Sequence, residues 1–136
     1  MKLLIVDDSD LLQNRLRNAI EEVDKTISIS QAHSFKDGLE LFITFGPDTI
    51  ILDIALPDGS GINLLRIFKK EKTYVKVLIF TNYPTSEFKK RCLELGADYF
   101  FDKSNLGSII KAISENSSLK AKTNANDDFT GKKEND

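Results

Sequence analysis

The short run Thr49–Leu52, together with the aspartate that follows it, most constrains how this chain folds. The run reads Thr-Ile-Ile-Leu, so it is β-branched or apolar at every position, and Asp53 comes directly after it. A strand without polar alternation is typical of a parallel sheet that is covered by helices on both faces. In such sheets, ligands and reactive groups collect beyond the carboxyl ends of the strands. The pattern therefore predicts that Asp53 lies at a functional edge of the sheet.

The rest of the chain alternates between strand patterns and helix patterns. Further strands are predicted at Leu3–Val6, Ile27–Ala32, Val75–Phe80 and Tyr99–Phe101. Apolar residues at helical spacing predict five helices, within Leu12–Val23, Phe35–Ile43, Ile62–Phe68, Phe88–Leu95 and Leu106–Ile113. Five strands alternating with five helices imply an α/β fold in which one parallel sheet lies between two helical layers.

Length and composition limit the setting and the partners of the chain. At 136 residues the chain is long enough for about one domain. The net charge of −2, without a clustered basic excess, argues against a nucleic-acid or anionic membrane surface. The single cysteine fits a reducing, cytoplasmic setting. The apolar start Leu3–Val6 is too short for a signal sequence, and no segment reaches the roughly 18 to 20 apolar residues of a membrane span.

The C-terminal end of the chain differs in composition from the rest. From about Glu115 onward the residues are mostly polar, and they include runs such as Asn124–Asp128 and Lys132–Asp136. Such a segment cannot bury enough apolar surface to fold by itself. We therefore expect one folded domain over residues 1–118 and a disordered tail over residues 119–136, with no second domain after it.

Polar side chains follow four of the predicted strands. Asp7 and Asp8 follow the first strand, Asp53 the third, Thr81 the fourth and Lys103 the fifth. In a parallel sheet these positions meet at one edge, where like charges about 4 Å apart repel by several kcal/mol. A divalent cation relieves that repulsion, and an all-oxygen ligand set favours Mg²⁺ (or Mn²⁺) over Zn²⁺. The sequence therefore predicts a magnesium site at this edge.

The same residues suit phosphoryl chemistry. A metal ion, the hydroxyl of Thr81 and the ammonium of Lys103 are suitable partners for the three equatorial oxygens of a phosphoryl group. Asp53 is then a candidate carboxylate nucleophile that forms an aspartyl phosphate.

Taken together, these positions resemble the receiver domain of bacterial two-component response regulators. The resemblance is carried by Asp7-Asp8, Asp53 with Pro57 and Gly61 behind it, Thr81, and Lys103 after Gly96–Phe100. It covers about residues 1–118, and it is specific because the whole set occurs in order, each part at a strand end. It implies a flavodoxin-like (βα)5 fold with strand order 2-1-3-4-5.

The resemblance implies a role for each site residue. Asp53 would accept a phosphoryl group from the phosphohistidine of a histidine kinase or phosphotransfer protein. Asp8 and Asp53 would bind Mg²⁺ directly, Asp7 partly through water, and the backbone carbonyl of Ala55 would complete the protein ligands. Lys103 would pair with the phosphoryl oxygens.

The resemblance also implies a conformational switch. Thr81 would move onto the phosphoryl group, and Phe100 occupies the position of the family's rotating aromatic, although a core residue explains Phe100 equally well. The surface of the fourth helix, fifth strand and fifth helix would then change its affinity for a partner. The implied domain is not an enzyme, apart from self-phosphorylation by small donors and autodephosphorylation. Its downstream partner, a missing output domain and phosphorylation-dependent homodimerisation stay open.

Two other classes of protein remain as alternatives. A receiver-like interaction module that takes no phosphate usually lacks an acidic or lysine position, and here all are kept. A haloacid-dehalogenase-like phosphatase would use Asp8 as nucleophile, since Asp8-Ser9-Asp10 has the Asp-x-Asp spacing, but Asp53 would then have no role. Asn82, which follows Thr81, departs from the commonest receiver pattern, and Tyr83 occupies a position where the family varies its autodephosphorylation rate. We expect both residues to affect the lifetime of the phosphoryl group.

Overall fold

The computed structural model describes residues 1–122 of the chain, and their side chains as far as Ser117. Within this range, five strands form one sheet: β1 (Lys2–Val6), β2 (Ser28–Ala32), β3 (Thr49–Leu52), β6 (Lys76–Thr81) and β7 (Tyr99–Asp102). Their order is β2-β1-β3-β6-β7, and every neighbouring pair is parallel. Counted over this sheet the order is 2-1-3-4-5, so the predicted flavodoxin-like fold is confirmed.

Five helices connect and cover the strands of this sheet. They are α1 (Asp10–Val23), α2 (Phe35–Thr44), α3 (Gly61–Glu71), α4 (Ser86–Glu94) and α5 (Leu106–Lys122). The first four helices are each capped by a serine or threonine, whose side-chain oxygen accepts a backbone N–H of the first turn. The capping residues are Ser9, Ser34, Ser60 and Thr85. Each of these four helices thus begins directly after a serine or threonine that follows a strand or a short loop.

Alternate residues of the central strands send their side chains to opposite faces of the sheet. Leu4, Val6, Ile50 and Leu52 pack in a cluster that includes residues of α2, α3 and α4, whereas Leu3, Ile5 and Ile51 pack in a second cluster with residues of α1 and α5. Strands buried on both faces explain why β3 shows no polar alternation.

The loop between β3 and α3 contains two short strands that the sequence analysis did not predict. Strands β4 (Ala55–Leu56) and β5 (Gly59–Ser60) form a small antiparallel ribbon, in which Ala55 pairs with Ser60. Two-residue strands leave no periodic signal, so the sequence pattern could not predict them.

Helix α5 continues through the region where the composition becomes polar. Within the described residues it runs as far as Lys122, four residues beyond the predicted domain boundary at 118. Its polar residues have tertiary partners: the Asn116 amide donates to the Tyr99 hydroxyl oxygen (3.3 Å), and the Ser117 hydroxyl donates to the Asp24 carboxylate. Residues 123–136, most of the predicted tail, lie outside the described part of the chain.

Candidate functional site

Asp7, Asp8 and Asp53 form an acidic cluster at the carboxyl edge of the sheet. One carboxylate oxygen of each residue lies within 4.8 Å of the others. Val6 pairs with Leu52 in the register of β1 and β3, so the residues that follow them lie side by side. The N–H of Asp53 continues this pairing by donating to the carbonyl of Val6 at 3.0 Å. The parallel sheet therefore builds the cluster that the strand ends predicted.

Burial differs within the cluster. Asp7 and Asp53 are 2% and 4% exposed, whereas Asp8 is exposed to solvent. Asp7 Oδ1 accepts the N–H of Ser9 at 2.9 Å, and Asp53 Oδ1 accepts the N–H of Ala55 in a long contact of 3.4 Å. Two buried carboxylates and one open to solvent leave the cluster accessible from one side.

Lys103 provides the positive charge of the site. Its Nζ atom lies 2.7 Å from Asp7 Oδ2 and 3.0 Å from Asp53 Oδ2. The main chain of this residue is held as well, because its N–H donates to the carbonyl of Thr81 at 2.9 Å. A single ammonium therefore bridges the two buried carboxylates, while the backbone N–H of Lys103 links the end of β7 to the end of β6.

The surroundings of the site raise the pKa of both Asp53 and Lys103. Burial raises the pKa of Asp53, and the negative charge of Asp7 adds to this effect, while the hydrogen bond and charge of Lys103 only partly oppose it. Burial by itself lowers the pKa of Lys103, but its bonds to the two carboxylates and their charges outweigh that effect, so the net shift is upward. Lys103 therefore stays charged, and the cluster keeps an excess of negative charge when its carboxylates are ionised.

Thr81 lies at the end of β6, fully buried. Its side-chain oxygen accepts the N–H of Tyr83 at 3.0 Å, while its carbonyl accepts the N–H of Lys103. Phe100 lies on the neighbouring strand, paired with Ile79, and it is 6% exposed. Thr81 is thus joined to the lysine of the site through the backbone, whereas Phe100 packs in the core that contains residues of α2, α3 and α4.

The loop that leaves Asp53 turns back very closely on itself. The N–H of Gly61 donates to the carbonyl of Ile54 at 2.7 Å. A Cβ atom at Gly61 would lie only 1.9 Å from the carbonyl oxygen of Asp53, so no other residue fits there without moving the backbone. The close contact with the main chain of Asp53 therefore requires glycine at position 61.

Gln13 is a site residue that the sequence analysis missed. Its side chain is fully buried, and Nε2 donates to the carbonyls of Ile5 (3.1 Å), Asp7 (3.1 Å) and Ala32 (2.8 Å). Its Oε1 accepts the Nε2 of Gln31 at 3.0 Å. The amide thus holds the main chain of Asp7 against the end of β2. The sequence signal that could have identified Gln13 as buried is its position three residues before Leu16, which places it on the inward face of α1.

The acidic cluster fits a small, hard divalent cation on the chemistry of its donors. Three carboxylates contribute only oxygen atoms, and two of them are buried beside one another, where they share the ammonium of Lys103. Ala55, the predicted carbonyl ligand, starts β4, and its N–H lies against Asp53. Within residues 1–122, no helix combines the length and the apolar character needed to cross a membrane.

Comparisons with known proteins agree with this geometry. A family model for the response regulator receiver domain matches residues 3–114. The chain is 34% identical over 116 residues to the sensory transduction protein LytR of Staphylococcus haemolyticus, covering 85% of this chain and 44% of LytR. It is also 34% identical over 103 residues to the transcriptional regulatory protein CusR of Escherichia coli, covering 76% of this chain and 44% of CusR. The chain therefore spans less than half the length of these relatives.

Solved structures support the same assignment. A response regulator receiver domain protein (CheY-like) from Methanospirillum hungatei JF-1 matches with a TM-score of 0.79 and 25% sequence identity, covering 90% of this chain and 98% of that one. A signal receiver domain from Colwellia psychrerythraea 34H matches with a TM-score of 0.82 at 23% identity, over 87% and 98% of the two chains, which supports the fold. From the family match and the acidic, lysine-bridged site, this chain belongs to the receiver domain family of two-component response regulators.

Proposed function

We propose that the chain accepts a phosphoryl group on Asp53, in a Mg²⁺-dependent transfer from the phosphohistidine of a histidine kinase or phosphotransfer protein. The observation that carries this proposal is the buried carboxylate of Asp53, which shares the ammonium of Lys103 with Asp7 and lies next to Asp8. Receiver domains are signalling domains rather than classical enzymes, and they interact with histidine kinases and output domains.

The proposed metal ligands are the carboxylates of Asp8 and Asp53 and the backbone carbonyl of Ala55, with Asp7 acting partly through water. When bound, Mg²⁺ (or Mn²⁺) would neutralise charge on the carboxylates and on the incoming phosphoryl oxygens. The spacing of the three carboxylates, within 4.8 Å of one another, supports this ligand set. The exposed Asp8 gives the cation a route from solvent.

In the proposed transfer, a carboxylate oxygen of Asp53 attacks phosphorus while the P–N bond of the phosphohistidine breaks, and the imidazole leaves with the bonding electron pair. Lys103 already lies 3.0 Å from Oδ2 of Asp53, so a small shift of its ammonium brings it to a phosphoryl oxygen. The hydroxyl of Thr81 would contact another phosphoryl oxygen. The chain's own residues thus orient and neutralise the group as it arrives.

The proposed response to phosphorylation starts at Thr81 and Phe100. Movement of Thr81 toward Asp53 would disturb the bond that its side-chain oxygen accepts from Tyr83. Phe100 lines a surface hollow together with Pro84, Lys89 and Asn105, between the start of α4, strand β7 and the start of α5. A change in the side-chain conformation of Phe100 would therefore alter that surface, where we expect the downstream partner to bind.

The alternatives have weaker support. A haloacid-dehalogenase-like phosphatase would use Asp8, but Asp8 is exposed, and the buried carboxylates bonded to Lys103 are those of Asp7 and Asp53. A module that takes no phosphate would have no use for a complete acidic and lysine set. We keep the downstream protein or output domain, phosphorylation-dependent dimerisation, weak self-phosphorylation and autodephosphorylation, and a cytoplasmic location as parts of the proposal.

Treatment of the chain with acetyl phosphate and Mg²⁺, followed by intact mass measurement, tests the proposal. We expect the wild-type chain to gain one phosphoryl group, and we expect Asp53→Asn to gain none. Labelling of Asp8 rather than Asp53, located by peptide mapping after reduction of the acyl phosphate, would favour the phosphatase alternative. An unchanged mass under conditions that label other receiver domains would favour the module that takes no phosphate.

A further inference from the structure

The carboxylate of Asp58 holds the first turn of a helix that is distant in sequence. Asp58 Oδ1 accepts the N–H of Phe35 at 2.6 Å, and Oδ2 accepts the N–H of Lys36 at 3.1 Å. These are the first two N–H groups of α2, which lack partners inside the helix. Ser34 accepts the N–H of Asp37, so the loop after β3 supplies two of the three capping bonds on this turn.

The charge of Asp58 suits this contact. The two backbone hydrogen bonds lower the pKa of Asp58 below its ordinary value, so the group is ionised at neutral pH. A negative carboxylate at a helix N-terminus also interacts favourably with the helix dipole. The contact is therefore a charge-assisted link between α2 and the loop, and it is formed by an exposed residue outside the hydrophobic core.

A second contact fixes the same part of the loop. Gly59 lies so close to α2 that an added Cβ atom would be 2.7 Å from the ring of Phe35. Asp58 and Gly59, which form the tip of the loop, thus contact the start of α2 through two hydrogen bonds and through packing against the ring of Phe35. At its base the loop is closed by the bond from the Gly61 N–H to the Ile54 carbonyl.

The antiparallel ribbon of β4 and β5 connects the docked part of the loop, Asp58–Gly59, to the acidic cluster. Leu56 pairs with Gly59 and Ala55 pairs with Ser60, so the strand that starts at Ala55 cannot move independently of the strand after Asp58. The N–H of Ala55 lies 3.4 Å from Asp53 Oδ1. A shift of the tip would therefore change the place of the Ala55 main chain beside the phosphoacceptor.

We propose that Asp58 is a positioning residue for the metal and phosphoryl site, and that its bonds to α2 hold the Ala55 main chain where the site binds its divalent cation. This inference rests on the proposed function, because it assigns Asp58 a task in that same site. It also makes the N-terminus of α2 part of the support of the site, so cation binding and the docking of the loop on α2 stabilise each other.

The test compares the full chain with three variants by isothermal titration calorimetry with Mg²⁺ and by labelling with acetyl phosphate over a range of Mg²⁺ concentrations. In Asp58→Ala both bonds are lost, and in Asp58→Asn one acceptor oxygen remains. Asp37→Asn is the matched control, because it removes an exposed charge from the same helix turn without touching the loop. Urea unfolding of each chain records any loss of stability.

We expect Asp58→Ala to raise the Kd for Mg²⁺ by roughly 3- to 10-fold, below the effect of direct supporting partners of metal ligands because Asp58 acts through the main chain. Asp58→Asn should fall between Ala and wild type, and Asp37→Asn should match wild type. The Mg²⁺ concentration for half-maximal labelling should rise by the same factor, while the labelling rate at saturating Mg²⁺ stays unchanged. The differences should persist at 1 M NaCl, where long-range charge effects are screened.

Other results would overturn the inference. A purely structural Asp58 would lower the urea midpoint and leave the Mg²⁺ dependence equal to wild type. A purely electrostatic effect would make Asp58→Asn equal to Asp58→Ala and would disappear at high salt. If wild type binds Mg²⁺ but takes no phosphate, the proposed function fails, and the Mg²⁺ affinities still decide the role of Asp58. If wild type binds no Mg²⁺ at all, both fail.

Discussion

The Nζ atom of Lys103 lies 3.0 Å from Oδ2 of Asp53, although the two residues are fifty positions apart in the sequence. Their side chains are 11% and 5% exposed, so the pair is largely removed from water. Because the same ammonium also contacts Asp7, Lys103 is the counterion of both buried carboxylates.

Replacing Lys103 with Met should destabilise the metal-free protein. Two buried carboxylates would lose their counterion, and breaking a buried ion pair from one side costs about 3 to 5 kcal/mol. We expect about 2 to 4 kcal/mol here, measured by urea unfolding in EDTA, because the exposed Asp8 side admits some water. Added Mg²⁺ should recover part of the loss. Lys90→Met, at an exposed position of α4, is the control and should change stability by less than about 0.5 kcal/mol.

Replacing Asp53 with Asn should stabilise the metal-free protein at neutral pH. The pKa of Asp53 is raised in the folded state, chiefly by burial, so its ionised form opposes folding. The unfolding free energy of wild type should therefore rise as the pH falls through the raised pKa, and the advantage of Asn should shrink over the same interval. Urea unfolding between pH 4.5 and 8 measures this. A wild type that is more stable than Asp53→Asn at pH 8 in EDTA would contradict the prediction.

Replacing Gln13 with Leu should lower stability by about 2 to 4 kcal/mol. Three buried carbonyls, those of Ile5, Asp7 and Ala32, would lose a donor. The carbonyl of Ala32 would keep the N–H of Asp7 as a donor. Each buried polar group that is left unsatisfied costs about 1 to 3 kcal/mol, partly offset by the added apolar burial of Leu. Asn14→Leu, at the exposed neighbouring position, should change stability little. Equal unfolding free energies for the two variants would show that the amide network contributes nothing.

Replacing Tyr83 with Ala should shorten the lifetime of the phosphoryl group several-fold. Tyr83 is 53% exposed, and its N–H donates to the side-chain oxygen of Thr81, so this residue lies directly beside the site. We expect it to shield the path of the attacking water. Intact mass, followed over time after removal of acetyl phosphate, measures the decay. The same half-life in wild type and Tyr83→Ala would contradict this hypothesis. The control is Tyr74→Ala, because Tyr74 is an exposed tyrosine in another loop.

The main features of the fold were predictable because they depend on local patterns. Apolar runs such as Thr49–Leu52 and helical spacing in α1 indicate a parallel sheet between helical layers, and a parallel sheet brings strand ends together. Asp7, Asp8 and Asp53 were predicted as one cluster for that reason, and their proximity is confirmed. Their roles in metal binding and phosphoryl transfer stay predictions. The predicted apolar faces were less accurate at helix ends, since Val23 and Ile43 are exposed.

By itself, the sequence determined which residues stand at the ends of the strands, and with them the chemical groups of the site. Only the tertiary structure decided which distant groups support that site. Gln13 reaches the carbonyl of Ala32 across nineteen positions, and Asp58 reaches the N–H of Phe35 across twenty-three. A polar residue in a helix or turn has many available partners, and its partner is decided by how the helices pack on the sheet. Strand ends, in contrast, are aligned by backbone hydrogen bonds, which every residue except proline can both donate and accept.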